Sequence, residues 1–144
     1  MERDGHTTIE DRLRRTRQRY TAGRRQLAEV LAGAGRPLAI PELRAAGVDQ
    51  SQSSVYRNLA ILEQCGVVRR LASSDDTARF ELAEDLTGHH HHLVCSDCGT
   101  IEDIALSPAV ESALAAAVDE ARSRHDFSAD AHRFELVGSC ADCA

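Results

Sequence analysis

The chain has 144 residues, 42% of them apolar and 28% charged, and a formal charge of −6. That is enough for one ordinary domain or two small ones, and the mix is that of a globular chain, not a disordered one. No apolar run approaches the ~20 residues of a membrane helix and no apolar stretch follows Met1-Glu2-Arg3-Asp4, so export and membrane spanning are excluded as first readings and a cytoplasmic location is expected. Five cysteines, an odd number, argue against a disulfide scaffold and for reduced thiols. The charge is unevenly spread. Residues 1–70 hold thirteen arginines against eight acids, a charge of +5, and residues 71–144 hold four against fifteen, −11. The split predicts a polyanionic partner for the front and something cationic for the back.

In chain order, the first stretch, Asp11 to Arg19, is nearly all polar and reads as a solvated basic arm or a helix lying on something anionic. Thr21 is an expected N-cap, and Leu27, Val30 and Leu31 have the spacing of a buried helix face, ended by Gly33-Ala34-Gly35 and Pro37. A short helix is expected over Pro41 to Ala46. After the cap-rich segment Asp49 to Ser54, Val55, Leu59 and Leu62 recur at i, i+4 and i+7 until Gly66. Helix, short helix, turn and helix make a helix-turn-helix. Val67–Leu71 and Ala78–Leu82 then read as strands around the polar loop 72–77, a hairpin wing.

A second unit starts after residues 83–88. His89–Cys95 and Thr100–Leu106 are expected strands. Pro108 opens a helix with Val110, Leu114 and Val118 on one face, and Arg133–Gly138 alternates as a last strand.

Three constellations carry chemistry. Cys95-Ser96-Asp97-Cys98 and Cys140-Ala141-Asp142-Cys143 supply four thiolates, the closed tetrahedral set of a structural zinc; a dithiol redox pair or two unrelated thiol pairs are the blander readings. His89-His90-His91-His92 on a strand would send His89 and His91 to one side and His90 and His92 to the other. These make two half-sites, to be completed from Glu81, Glu102, Asp103, Glu111, His125 or His132. Solvated histidines or a tag are the alternatives. Cys65, beside Leu62 and Val67, reads as a core thiol. On the second helix of the helix-turn-helix, Ser53, Ser54, Tyr56 and Arg57 offer phosphate and base-edge donors, joined by Arg17, Arg19 and Arg24 from the basic front.

With these residues together, the sequence resembles the ferric uptake regulator family. The resemblance covers about residues 15–143 and rests on Ser54-Val55-Tyr56-Arg57-Asn58-Leu59, on Arg79-Phe80-Glu81-Leu82, on His89 through Gly99, and on His132 placed eight before Cys140. It implies an α+β fold with an N-terminal winged helix-turn-helix domain (1–83), a hinge (84–88) and a small C-terminal α/β dimerisation domain (89–144). It implies a homodimer on double-stranded operator DNA, and a metal-responsive repressor of metal-homeostasis or oxidative-stress genes, not an enzyme with a small-molecule substrate. Carried over, Cys95, Cys98, Cys140 and Cys143 match the structural zinc ligands. His89, His91, Glu111 and His132 match a site inside the dimerisation domain. Glu81, His90 and His92, with Asp103, match the regulatory site at the hinge, for Zn²⁺, Fe²⁺, Mn²⁺ or Ni²⁺. One departure stands out: relatives place a His near Pro37, where this chain has Arg36-Pro37, so Asp103, water or His6 is left to complete the hinge site. A small His/carboxylate metallohydrolase and a zinc-ribbon interaction module are the rival classes. Neither accounts for the basic helix-turn-helix, and no H-E-x-x-H motif is present.

Overall fold

A computed structural model of the protein describes Met1 and residues 3–144. Helix α1, Arg3–Arg15, is built from polar and charged residues except on one stripe, where Ile9 and Leu13, one turn apart, are fully buried. The arginine-rich opening is therefore not a free arm. Its apolar pair plugs the core while its arginines face outward, Arg12 reaching Asp85 and the Gly66 carbonyl. Helix α2, Ala22–Ala34, starts at Thr21, whose hydroxyl accepts the Arg24 N–H, and stops at Gly35, which takes the left-handed conformation.

Strand β1 is only Leu38–Ala39, too short for any alternation to announce it. Helix α3, Ile40–Ala45, follows, with the Glu42 carboxylate accepting the Ala39 N–H at 2.7 Å. Helix α4, Gln52–Gln64, is capped by Ser51 and buries Val55, Leu59 and Leu62. Strands β2, Val68–Leu71, and β3, Arg79–Leu82, form the antiparallel wing, with β3 central in the order β1-β3-β2. The continuous apolar core lies wholly between Ile9 and Leu82.

The single turn α5, Glu84–Thr87, leads into a second sheet. Its strands are β4, His91–Cys95, β5, Ile101–Ile104, and β6, Glu135–Gly138, in the order β5-β4-β6. β4 is antiparallel to β5 and parallel to β6, which the 18-residue α6, Pro108–His125, makes possible by carrying the chain back. Here little is buried: α6 has no buried residue and β6 is exposed throughout. Among the described residues no helix is long and apolar enough to cross a membrane.

Candidate metal centres

Strand register does most of the assembly. β6 runs beside β4 with Gly138 opposite Cys95, and the Ser96 N–H donates to the Gly138 carbonyl at 2.8 Å, so the final Cys-x-x-Cys turn is delivered onto the first. The sulfurs of Cys95, Cys98, Cys140 and Cys143 lie within 4.8 Å of one another. Backbone N–H groups of Cys98, Cys140 and Asp97 lower the Cys95 thiol to about 6, while contact with the Cys140 and Cys98 sulfurs pushes Cys143 up to about 12. Four sulfurs this close cannot all ionise unless a cation shares the charge, and a dication with soft affinity fits that donor set.

The pleat divides the histidines as alternation requires, although β4 itself begins only at His91. His89, His91, Glu111 and His132 converge on one side. His91 Nε2 lies 2.8 Å from Glu111 Oε1 and His89 Nε2 3.3 Å from Glu111 Oε2. Glu111 comes from the first turn of α6, and His132 from the loop before β6, its ring stacked on His91. Burial tends to raise the Glu111 carboxyl, but its contacts with His91 and His89 outweigh this and hold it below the usual range. The outer nitrogen of His89, Nδ1, rests on Glu84, which fixes the ring with Nε2 turned inward.

On the other side are Glu81, His90, His92 and Asp103. Glu81, in the middle of β3, reaches from the wing, and Asp103 faces His92 across the β4–β5 pair. Glu81 Oε2 is 3.0 Å from His92 Nε2 and 3.2 Å from His90 Nε2; Asp103 Oδ1 is 3.7 Å and 3.9 Å from the same two nitrogens. Burial works against ionisation of Glu81, yet His92, Arg69 and His90 together draw it down to about 2. Asp103 goes the other way: burial raises it, only partly offset by the histidines.

Two atoms report what these clusters lack. Asp103 Oδ1 and His132 Nε2 are buried without a hydrogen-bond partner, one in each His/carboxylate group. An orphaned acceptor aimed among imidazole nitrogens is costly unless a cation completes it, so both donor sets fit a divalent ion.

His6 does not take part. It bonds the Tyr20 hydroxyl at 2.8 Å and faces Glu29 at 3.6 Å, and Arg36 is paired with Glu42 at 2.7 Å, so neither joins the cluster, whose fourth member is Asp103. On α4, Ser53, Tyr56 and Arg57 are exposed and Ser54 is half-buried; Arg17 and Arg19 are exposed on the same half of the molecule. Arg24 departs from expectation. It is only 8% exposed, and its guanidinium donates to the Arg19 carbonyl, Gln18 and Asn58, so it holds α2 against α4 and has no free face for phosphate.

Three residues of this region escaped sequence reasoning. Arg69, opposite Glu81 across the wing, pairs with its carboxylate; the hairpin register of the two strands carried that signal. Ser74 and Arg79 tie the wing to the cysteine turn, the Ser74 hydroxyl donating to the Cys95 carbonyl at 2.8 Å and Arg79 to that of Cys98 at 3.5 Å. Nothing in the sequence marks those contacts.

The model of the ferric uptake regulator family matches residues 15–137. The peroxide-responsive repressor PerR of Staphylococcus saprophyticus is 32% identical over 95 residues, 65% of this chain, and the match spans 57% of that protein's length. The fold superposes on the ferric uptake regulator of Helicobacter pylori with a TM-score of 0.74 at 24% identity, over 97% of this chain and 91% of that one. For the ferric uptake regulator of Vibrio cholerae the TM-score is 0.69 at 25% identity, over 91% and 98%. These are the names of regulators, not of enzymes. The family match runs from the end of α1 to β6 and takes in the wing and both His/carboxylate clusters, and the chain belongs to the ferric uptake regulator family.

Proposed function

We propose that the protein is a homodimeric, metal-dependent repressor that grips operator DNA in the cytoplasm when a divalent ion occupies the cluster of Glu81, His90, His92 and Asp103. In this reading residues 1–83 are the DNA-binding domain, 84–88 the hinge and 89–144 the dimerisation domain. The observation that carries it is the origin of the ligands: Glu81 belongs to the wing, His92 and Asp103 to the second sheet, and His90 to the residue just before β4. A site that spans the two ties DNA affinity to metal directly.

The chain's own residues do the rest. Ser53, Tyr56 and Arg57 on the exposed face of α4 enter the major groove, and Arg17 and Arg19 meet phosphate. Glu81, drawn toward His90 and His92, orients the wing, and with it α4, against the dimerisation unit. In a dimer this sets the two recognition helices at the ~34–36 Å of successive major grooves. A cation at the cluster supplies the charge that lets Glu81 and Asp103 stay ionised side by side. Its identity is among Zn²⁺, Fe²⁺, Mn²⁺ and Ni²⁺, since imidazole and carboxylate donors accept all four. Cys95, Cys98, Cys140 and Cys143 hold a zinc that is structural, with no open position. His89, His91, Glu111 and His132 make a second site within the dimerisation unit. Exposed Leu93, Leu136 and Val137 on the second sheet supply apolar surface of the kind a second copy covers.

The test is fluorescence anisotropy on a palindromic A/T-rich duplex, with chelator and then with each ion in turn. The proposal expects at least one ion to tighten binding by roughly a hundredfold, within the usual reach of allosteric coupling. Equal affinity with and without chelator overturns it.

A further inference from the structure

We propose that Arg69 is a positioning residue that decides which cation the hinge cluster prefers, by leaving Glu81 one free carboxylate oxygen. The inference rests on the reading of Glu81, His90, His92 and Asp103 as a metal site. Arg69 stands on β2 directly opposite Glu81 on β3. Its Nε donates to Glu81 Oε1 at 3.0 Å, and its Nη2 reaches the same oxygen. The other oxygen, Oε2, is the one within 3.0 Å of His92 and 3.2 Å of His90. The carboxylate is thus divided: Oε1 is committed to the guanidinium and Oε2 is presented to the histidines. Glu84, 3.7 Å from Arg69 Nη1, steadies the arginine from the far side.

The consequence lies in the donor count. Two imidazole nitrogens, Glu81 Oε2 and Asp103 Oδ1 make four ligands, the number zinc takes in a tetrahedral site. Manganese favours six, rich in oxygen, and a carboxylate that can swing to two-oxygen binding is the nearest source of a fifth. Arg69 denies that oxygen. Losing Arg69 has opposed effects on absolute affinity, because removal of a positive charge attracts every dication while loss of the clamp frees Glu81 to wander. Both effects leave the zinc-to-manganese ratio and the coordination number as the clean readouts.

The test uses the full chain with its cysteine site loaded, in a Glu111→Ala/His132→Ala background that disables the other cluster. These two side chains are 30% and 27% exposed, and Arg69 is 33% exposed, and circular dichroism of each variant verifies that the fold is kept before titration. Zn²⁺, Mn²⁺ and Co²⁺ are titrated into this parent, Arg69→Met and Arg69→Lys. Arg69→Met is expected to cut the preference for zinc over manganese by at least about tenfold, the scale on which loss of an outer partner changes affinity at other metal sites. The visible Co²⁺ band should lose intensity as the ion leaves tetrahedral coordination. Arg69→Lys, which still donates to Oε1, should recover part of both. If Arg69→Met keeps the parent's ratio and its Co²⁺ spectrum, the role of Arg69 is overturned and the site stands. If His90→Ala/His92→Ala in the parent binds as much Co²⁺ as the parent, the hinge site and the role of Arg69 fall together.

Discussion

The two sheets of this molecule are held by different physics. Up to Leu82 the chain buries a continuous set of leucines, valines and isoleucines contributed by α1, α2, α3, α4 and the wing. Beyond His89 the buried side chains are His91, His92, Cys95 and Ile101, and the 18-residue α6 has no buried residue. The first half is an apolar core in the usual sense. In the second, what lies inside is mostly ligand, and a segment of that size with so little apolar burial needs a metal or a partner copy to stay folded. In the proposed reading a sensor gains from the asymmetry: the half that would read DNA keeps its shape, while the half that would answer to ions is made to depend on them.

The comparison is broken most severely at the cysteines. Cys140→Ser/Cys143→Ser, or chelation under reducing conditions, should strip amide-exchange protection from residues 91–138 while leaving α2 and α4 protected, because binding energy of a structural zinc counts directly as folding energy. Equal loss in both halves, or none in either, would contradict the division. The converse is a cut in the apolar half. Leu59→Ala should cost about 3 kcal/mol whether or not chelator is present, since Leu59 is only 1% exposed and touches no ligand. A chelator-dependent loss would mean that the halves are not separable in this way.

A smaller effect sharpens the contrast through pH. In the metal-free fold Glu84 raises His89 above its ordinary 6.5. Burial pulls His90 down, but the Gly88 carbonyl, Glu81 and Asp103 pull it up further. Groups that bind protons more tightly when folded stabilise fully below 6.5, and that contribution is lost as the pH rises through their folded values. Protein that keeps its cysteine zinc but carries no ion in the His/carboxylate clusters should therefore melt at progressively lower temperature from about pH 6 to 8. Metal-loaded protein should do the opposite, because protons and ions compete for the same nitrogens. A His89→Gln/His90→Gln variant should flatten the first slope; an unchanged slope would assign it to other groups.

Much of this is legible in the sequence. α4 announces itself because Val55, Leu59 and Leu62 repeat at helical spacing behind a serine cap, and the wing because two short strands flank a polar loop. Alternation along a pleated strand separates His89 and His91 from His90 and His92, whereas the partners of each pair follow from the family resemblance and the cysteine set from its two paired spacings. What failed was the assumption that charge means exposure. Ile9 and Leu13 are hidden among charged residues, so the basic stretch reads as a solvated arm or a helix on something anionic, whereas α1 closes the core. Arg24 read as a phosphate contact because burying a guanidinium requires partners distant in sequence, here Asn58, that no local pattern reveals.

The most direct test of the account is a titration of operator affinity against metal for the wild-type chain and for His90→Ala/His92→Ala, with the cysteine zinc in place and the fold verified by circular dichroism in both. The account predicts that the wild-type curve rises steeply with added ion while the variant stays at the weak, metal-free level. A variant that tightens on DNA with metal as the wild type does would contradict it.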